Sequence, residues 1–206
     1  MADLPVFEMF YSFQGEGSNA GTAAYFIRLA GCNVCCDFCD EKRAWQTSDV
    51  PFVSVKAILD EVKKANADTV IVTGGEPTMY DLSELTAALH DEGIKTFIET
   101  SGVNEITGIW DWITVSPKQN KLPLHSSLLM ADEIKVVIAK EDDFLFAERM
   151  LSCAKSAIGD DKKKKLYYLQ AEFSQKDKVL PLIIDYNKRN PVWKLSLQTH
   201  KMINIK

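Results

Sequence analysis

Apolar residues along this chain follow two alternating rhythms. Short runs rich in β-branched and aromatic side chains recur at Ala23–Leu29, Thr69–Thr73, Lys95–Glu99, Trp112–Val115, Glu133–Ile138, Leu166–Leu169 and Val192–Leu197, and each predicts a strand. Between several of them the apolar positions repeat at helical spacing. In Val55–Ala65, Val55, Ile58, Leu59 and Val62 share one face, and in Leu82–Leu89 the face is Leu82, Leu85, Ala88 and Leu89. Phe144–Ala154 and Val179–Tyr186 are further helix candidates. Strands alternating with helices predict right-handed βαβ units and an α/β fold with mainly parallel strands. Seven strand candidates against about four helices point to an incomplete barrel or an open sheet.

Polar motifs sit just beyond the carboxyl ends of three predicted strands. Thr73-Gly74-Gly75-Glu76-Pro77 follows Val70–Val72, and Glu99-Thr100-Ser101-Gly102 and Ser116-Pro117-Lys118 follow strands of their own. Each alone reads equally as a turn. Because parallel α/β folds bind ligands at the carboxyl ends of their strands, three such motifs favour one shared site.

Composition narrows the classes. At 206 residues one domain, residues 1–206, is expected, with roughly 70% of the unfolded surface buried. Net charge is −5, which argues against a nucleic-acid backbone binder. Apolar runs such as Val70–Val72 are far shorter than the ~20 residues of a membrane span, and Met1–Phe10 lacks the basic start of a signal peptide. A cytoplasmic protein is expected. The Lys162–Lys165 run after Gly159-Asp160-Asp161 predicts a solvated loop.

Four of the five cysteines, Cys32, Cys35, Cys36 and Cys39, fall within eight residues, and Cys153 stands apart on an apolar helical face. Cysteines this close rarely meet disulfide geometry, whereas clustered thiols in a reducing compartment hold metal or do chemistry. Cys32-x3-Cys36-x2-Cys39 begins just after a strand and Gly31. Three thiolates can hold three irons of a 4Fe–4S cubane and leave the fourth open for a small molecule, since electron-transfer clusters normally use four. Structural zinc is the rival: Cys32-x2-Cys35 and Cys36-x2-Cys39 are formally two knuckles, although they abut where paired knuckles need a longer spacer. In the first reading Cys35 is a bystander. Cys153 reads as a small core residue.

C-x3-C-x2-C followed by Gly-Gly-Glu-Pro resembles the radical S-adenosylmethionine (SAM) superfamily. A narrower likeness runs nearly end to end. Ser12-Phe13-Gln14-Gly15-Glu16-Gly17 and Phe26-Ile27-Arg28-Leu29-Ala30-Gly31-Cys32 are similar to the opening of 7-carboxy-7-deazaguanine synthases. Glu99-Thr100-Ser101-Gly102, Ser116-Pro117-Lys118, Glu133-Ile134-Lys135 and Leu195-Ser196-Leu197-Gln198-Thr199-His200-Lys201 follow in that family's order. The resemblance implies an incomplete (β/α) barrel of the radical SAM type, with a cluster loop at 31–41 and a substrate-facing tail at about 195–206. It implies a lyase that contracts 6-carboxy-5,6,7,8-tetrahydropterin to 7-carboxy-7-deazaguanine with loss of ammonia, on the way to queuosine and other 7-deazapurines. There the 5′-deoxyadenosyl radical takes hydrogen from C6, SAM is regenerated and Mg²⁺ assists. A homodimer and a reducing partner such as flavodoxin or ferredoxin are further expectations. A radical SAM activase working on a partner protein, and a zinc-stabilised interaction module, are the alternatives.

Residue roles carry over by match. Cys32, Cys36 and Cys39 are the expected cluster ligands. Phe38, Cys39, Asp40, Gly74, Gly75, Glu76, Ser116, Pro117, Lys118 and Gln170 are expected at the SAM site, with the Gly-Gly-Glu stretch on the SAM amino group. Phe13, Gln14, Gly15, Glu16, Arg28, Thr73, His200 and Lys206 are expected to face the substrate. Arg28 is the natural fork for the substrate carboxylate, Glu16 an acceptor for pterin N–H groups, and Lys206 a contributor through the chain-terminal carboxylate. Two departures stand out. Where the family commonly reads Asp-Thr, with the threonine hydroxyl on Mg²⁺, this chain has Asp40-Glu41; Glu41 is then either a Mg²⁺ ligand or a solvent-facing glutamate. After Gln170 the chain reads Ala171-Glu172, where the family often has proline. His90 and His125 are expected at the surface, and Trp45, Trp110, Trp112 and Trp193 in core or interface.

Overall fold

The computed structural model describes residues 3–157 and 164–206. Its sheet orders β3 (Phe52–Ser54), β1 (Asp3–Phe13), β2 (Ala23–Leu29), β4 (Thr69–Gly74), β5 (Lys95–Thr100), β6 (Trp112–Val115), β7 (Glu133–Ile138), β8 (Leu166–Ala171) and β9 (Trp193–Ser196) from edge to edge. From β2 to β9 every pairing is parallel, and β1 and β3 join antiparallel at one end. The two edges do not pair, so the barrel is incomplete. The seven parallel strands are the seven read from the sequence, shifted by a residue or two at their ends.

Helices α1 (Val55–Lys64), α2 (Ser83–Asp91), α4 (Asp143–Ala157) and α5 (Lys176–Arg189) match the periodic segments. The α1 stripe works as its spacing requires: Val55, Ile58 and Val62 are buried, and Ser54 caps the helix by accepting from the Ala57 amide at 3.3 Å. Beneath the helices Val70, Ile71 and Val72 are fully buried, as a strand covered on both faces demands. Short α3 (His125–Met130) and α6 (Thr199–Met202) were not anticipated, nor were β1 and β3. A bulge between Val6 and Glu8 breaks the alternation of β1, and three residues carry too little pattern to announce β3. No helix among the described residues is long and apolar enough to cross a membrane.

Some expectations need correcting. Gly159-Asp160-Asp161 and Lys162-Lys163 lie outside the described residues. Lys164 is exposed, but Lys165 is buried and donates to the Leu129 and Ala131 carbonyls at 2.6 and 2.8 Å, so the run does not end in solvent. His90 is only half at the surface, because its Nε2 sits 2.9 Å from Thr96 Oγ1 and 3.1 Å from Asp111. His125 is exposed, Trp193 is buried edge-on against Tyr167, and Cys153 packs against the main core.

Candidate active site

Parallel register carries the motifs to one end of the sheet. Arg28 lies beside Thr73 and Leu29 beside Gly74 across β2 and β4, and Gln170 lies beside Ser196 across β8 and β9. Two adjoining chambers open there. The first, about 230 Å³, contains Cys32, Cys36, Cys39, Phe38, the turn 74–76, Ser116, Lys118 and Gln170. The second, about 300 Å³, contains Phe13, Gln14, Gly15, His200 and Lys206. Glu16, Arg28, Thr73, Asp40, Glu41 and Glu99 line both. Of the residues expected from the sequence only Pro117 lines neither, being buried behind Ser116 and Lys118.

The cysteine loop rests on the Gly-Gly-Glu turn. Gly75 N donates to Leu29 O at 2.9 Å and Glu76 N to Gly31 O at 2.8 Å. A Cβ at Gly75 would fall 2.3 Å from Gly31 O and 2.8 Å from Cys32 Cβ, so only glycine permits this approach. The Trp45 indole N–H donates to Cys39 Sγ at 3.3 Å and the Cys35 amide to Cys32 Sγ at 3.5 Å. Trp45 therefore belongs to the site rather than to the core or an interface. Cys35 itself is exposed with φ 53°, pointing its own thiol at the Cys32 carbonyl.

Glu76 is almost completely buried and its acceptors are taken. Oε1 accepts from Thr78 N, Thr78 Oγ1 and Thr100 Oγ1 at 3.1, 2.6 and 2.5 Å; Oε2 accepts from the amide and hydroxyl of Ser101. The carboxylate ties the ends of β4 and β5 together, and what the turn presents to the chamber is mainly backbone. Burial pushes the Cys36 thiol up while Lys118 pulls it down, and burial lowers Lys118, whose ammonium donates to Ser116 O and Oγ at 2.7 Å.

The wall between the chambers is a charge network. Lys135, 3% exposed at its side chain, donates to Glu16 at 2.6 Å and to Glu99 at 3.0 Å. Gln14 Nε2 donates to Glu99 at 3.0 Å and Gln198 Nε2 to Glu16 at 2.8 Å. Burial drives Glu16 upward, but the ammonium outweighs it and holds the carboxyl down at about 2. Burial dominates at Glu99, with Glu16 and Glu133 adding to it, and raises it to about 7 despite Lys135. Glu16 is thus already half engaged, not a free acceptor. Arg28 Nε donates to Glu8 at 2.8 Å, which leaves the terminal nitrogens of the fork for a ligand. Lys206 Nζ pairs with the other Glu8 oxygen at 2.6 Å, and a Lys206 main-chain oxygen accepts from Ser12 Oγ at 2.6 Å.

Donor chemistry separates the implied groups. Three cysteines around one chamber, two receiving N–H···S bonds, fit a cubane in which three irons each take one thiolate and the fourth takes none. No three His, Cys, Asp or Glu side chains among the described residues converge to hold a single ion, the arrangement zinc needs. Mg²⁺ fits poorly. Both Glu41 oxygens accept from Arg43, at 2.7 and 2.6 Å, and Asp40 is held by Lys201 at 2.9 Å and Gln198 at 3.1 Å. Sequence reasoning assigned no site role to Glu99, Lys135, Trp45 or Gln198. Glu99, Lys135 and Gln198 stand inside quoted motifs, but only the packing of β5, β7 and the β1–β2 loop brings Glu99 and Lys135 together.

Comparison with known proteins agrees with this geometry. Residues 26–113 match the model of the Radical SAM superfamily. The chain is 44% identical over 202 residues to the 7-carboxy-7-deazaguanine synthase of Flavobacterium psychrophilum, covering 98% of this chain and 92% of that one. Against the Synechocystis enzyme of the same name identity is 40%, with 98% and 93% covered, and against that of Escherichia coli K12 it is 37%, with 98% of both covered. The crystal structure of QueE from Escherichia coli superposes with a TM-score of 0.84 at 32% identity, covering 95% of this chain and 94% of that one. With the likeness running through both chambers, the chain belongs to the 7-carboxy-7-deazaguanine synthase family of the radical SAM superfamily.

Proposed function

We propose that this protein is a radical SAM lyase that converts 6-carboxy-5,6,7,8-tetrahydropterin to 7-carboxy-7-deazaguanine and ammonia. The observation that carries this reading is the shared wall: the cysteine chamber opens directly onto a second chamber holding an arginine fork. A 4Fe–4S cluster on Cys32, Cys36 and Cys39, with SAM beside it, supplies a carbon-centred radical for hydrogen abstraction when bound. The chain's own part is to bind, orient and exclude water. Gly74, Gly75, Ser116, Lys118 and Gln170 hold the SAM side. Arg28 takes the substrate carboxylate, Gln14, Glu16 and Thr73 read the polar ring edge, and His200 with the 195–206 tail closes the outer face.

Mg²⁺ enters this reading only by displacing Arg43 from Glu41. A flavodoxin-like or ferredoxin-like donor, a homodimer covering the exposed sheet edges and a cytoplasmic setting complete it. An activase would require a partner protein and consume SAM. The deciding test is anaerobic reconstitution with iron and sulfide, then incubation with SAM, reductant and the pterin, read by mass spectrometry with a Cys36→Ala control. Product that depends on Cys36 supports the reading. SAM cleavage without this product refutes the substrate, and zinc in place of a cluster refutes the class.

A further inference from the structure

Three acidic side chains crowd around one ammonium at the centre of the barrel. Lys135 rises from β7 and bonds Glu16, from the β1–β2 loop, and Glu99, from the end of β5. Glu133, two residues earlier on the same face of β7, anchors that loop instead: its Oε2 accepts from Ser18 N and Ser18 Oγ at 2.9 and 2.8 Å. Gly17 N donates to Ser196 Oγ at 2.9 Å, so the loop is pinned to β7 and β9 across the open side of the barrel. A Cβ at Gly17 would fall 2.0 Å from Glu133 Oε1, a contact no larger residue can share. Glu16 and Glu99 line both chambers, and Lys135 lines the first.

We propose that Lys135 is a positioning residue of the reaction, the buried clamp that fixes Glu16 and Glu99 at one spacing across the pterin ring. It rests on the proposed function above. Three features carry it beyond ordinary core satisfaction. The ammonium's two carboxylate partners come from different elements, so it adds β7 to the single Gln14–Glu99 bond that otherwise joins the β1–β2 loop to β5. Among the described residues each carboxylate has one further side-chain donor, Gln198 for Glu16 and Gln14 for Glu99, which leaves acceptor capacity toward the chamber. And one ammonium among three carboxylates leaves the two chamber acids unlike: Glu16 stays ionised while Glu99 titrates near neutrality. A paired site of this kind presents a fixed acceptor and a carboxyl able to take or give a proton as ammonia departs.

The groups facing Glu99 are Lys135 and Glu133 from β7, and Glu16 and Gln14 from the β1–β2 loop. Glu16 in turn faces Gln198 and His200 beyond β9, and Lys118 after β6 faces Lys135. Removing the ammonium therefore raises the Glu99 carboxyl further and lets the loop carrying Glu16 relax.

The test uses reconstituted holoenzyme as wild type, Lys135→Met and Lys135→Arg, with kcat and KM for the pterin measured from pH 5.5 to 9. Cluster EPR and SAM binding serve as controls. Lys135→Met is expected to keep the cluster and SAM binding, lose roughly 100-fold or more in kcat/KM, and displace the wild-type inflection near pH 7 upward. Lys135→Arg, which keeps the charge, is expected to retain that inflection while raising the pterin KM severalfold. Unchanged kcat/KM in Lys135→Met, or an unmoved inflection, overturns the clamp. Should Lys135→Met fail to fold, an unchanged KM in Lys135→Arg does the same. A wild type that makes no product refutes the proposed function instead, so the two failures are distinct.

Discussion

Gly15→Ala offers a clean handle on the tail that closes the second chamber. A Cβ at Gly15 would lie 2.1 Å from His200 Nδ1, 2.7 Å from its Cγ and 2.8 Å from its Cβ. Ordinary contact begins near 3.4 Å, so the ring must retreat by more than about 1 Å. Turning χ1 does not suffice, because the His200 Cβ is itself too close. α6 must move instead, yet Thr199 N and Oγ1 tether it to the Gly15 carbonyl at 2.9 and 3.1 Å. Overpacking of this kind costs about 1–3 kcal/mol, and each tether lost adds about 1 kcal/mol. Read as weakened closure over the substrate, the overpacking alone corresponds to a rise of roughly 5- to 150-fold in pterin KM. SAM affinity and the cluster spectrum should not change, since neither Gly15 nor His200 lines the first chamber. Steady-state KM by product mass spectrometry, beside SAM titration followed by EPR, measures both. A pterin KM within twofold of wild type, or equal losses for SAM and pterin, would refute the reasoning.

Other consequences are as direct. Glu76→Gln disrupts a buried carboxylate with five donors and should cost about 3 kcal/mol or more, lowering Tm by roughly 6 °C or more; a fall under 2 °C by circular dichroism contradicts its tying role. Trp45→Phe removes an N–H···S bond worth about 1 kcal/mol and should make the cluster potential more negative by roughly 40 mV; an unmoved potential in an EPR-monitored titration counts against the assigned contact. Glu99, raised to about 7, favours the folded state below its unfolded value, and that advantage is lost as pH climbs toward 7. Glu16, held at about 2, acts oppositely, stabilising above its unfolded value and losing this only as pH falls toward 2. Glu99→Gln should accordingly gain Tm relative to wild type at pH 8 compared with pH 5, and identical differences at both would exclude the shift. Cys35→Ser should retain full iron content by colorimetric assay, whereas a loss of iron would make Cys35 a ligand.

Much of the architecture was legible along the chain because parallel strands covered on both faces are written as local apolar runs. Thr69–Thr73 and Glu133–Ile138 needed nothing beyond their own residues to be read. The cysteine spacing and the Gly-Gly-Glu-Pro turn were equally local, since a loop's ligands and a close glycine approach are encoded within a few positions. β1 escaped because its bulge scrambles the alternation, and α3 and α6 because helices of six and four residues carry hardly one period.

What only the tertiary structure decided is which charges meet. Glu16, Glu99 and Lys135 lie far apart in sequence; Glu16 was expected to face the substrate, but Glu99 and Lys135 alone read as ordinary polar residues in motifs. Their unlike protonation arises when β5, β7 and the β1–β2 loop exclude water around one shared ammonium. At Glu41 the partner is a near neighbour: the sequence places a carboxylate where a metal ligand is expected, and the local backbone turns the Arg43 fork onto it. Local pattern specifies backbone because hydrogen bonding and burial of a strand or helix are short-range repeats. Electrostatics at a site depends on distance through space and on desolvation, and neither exists until the chain has folded.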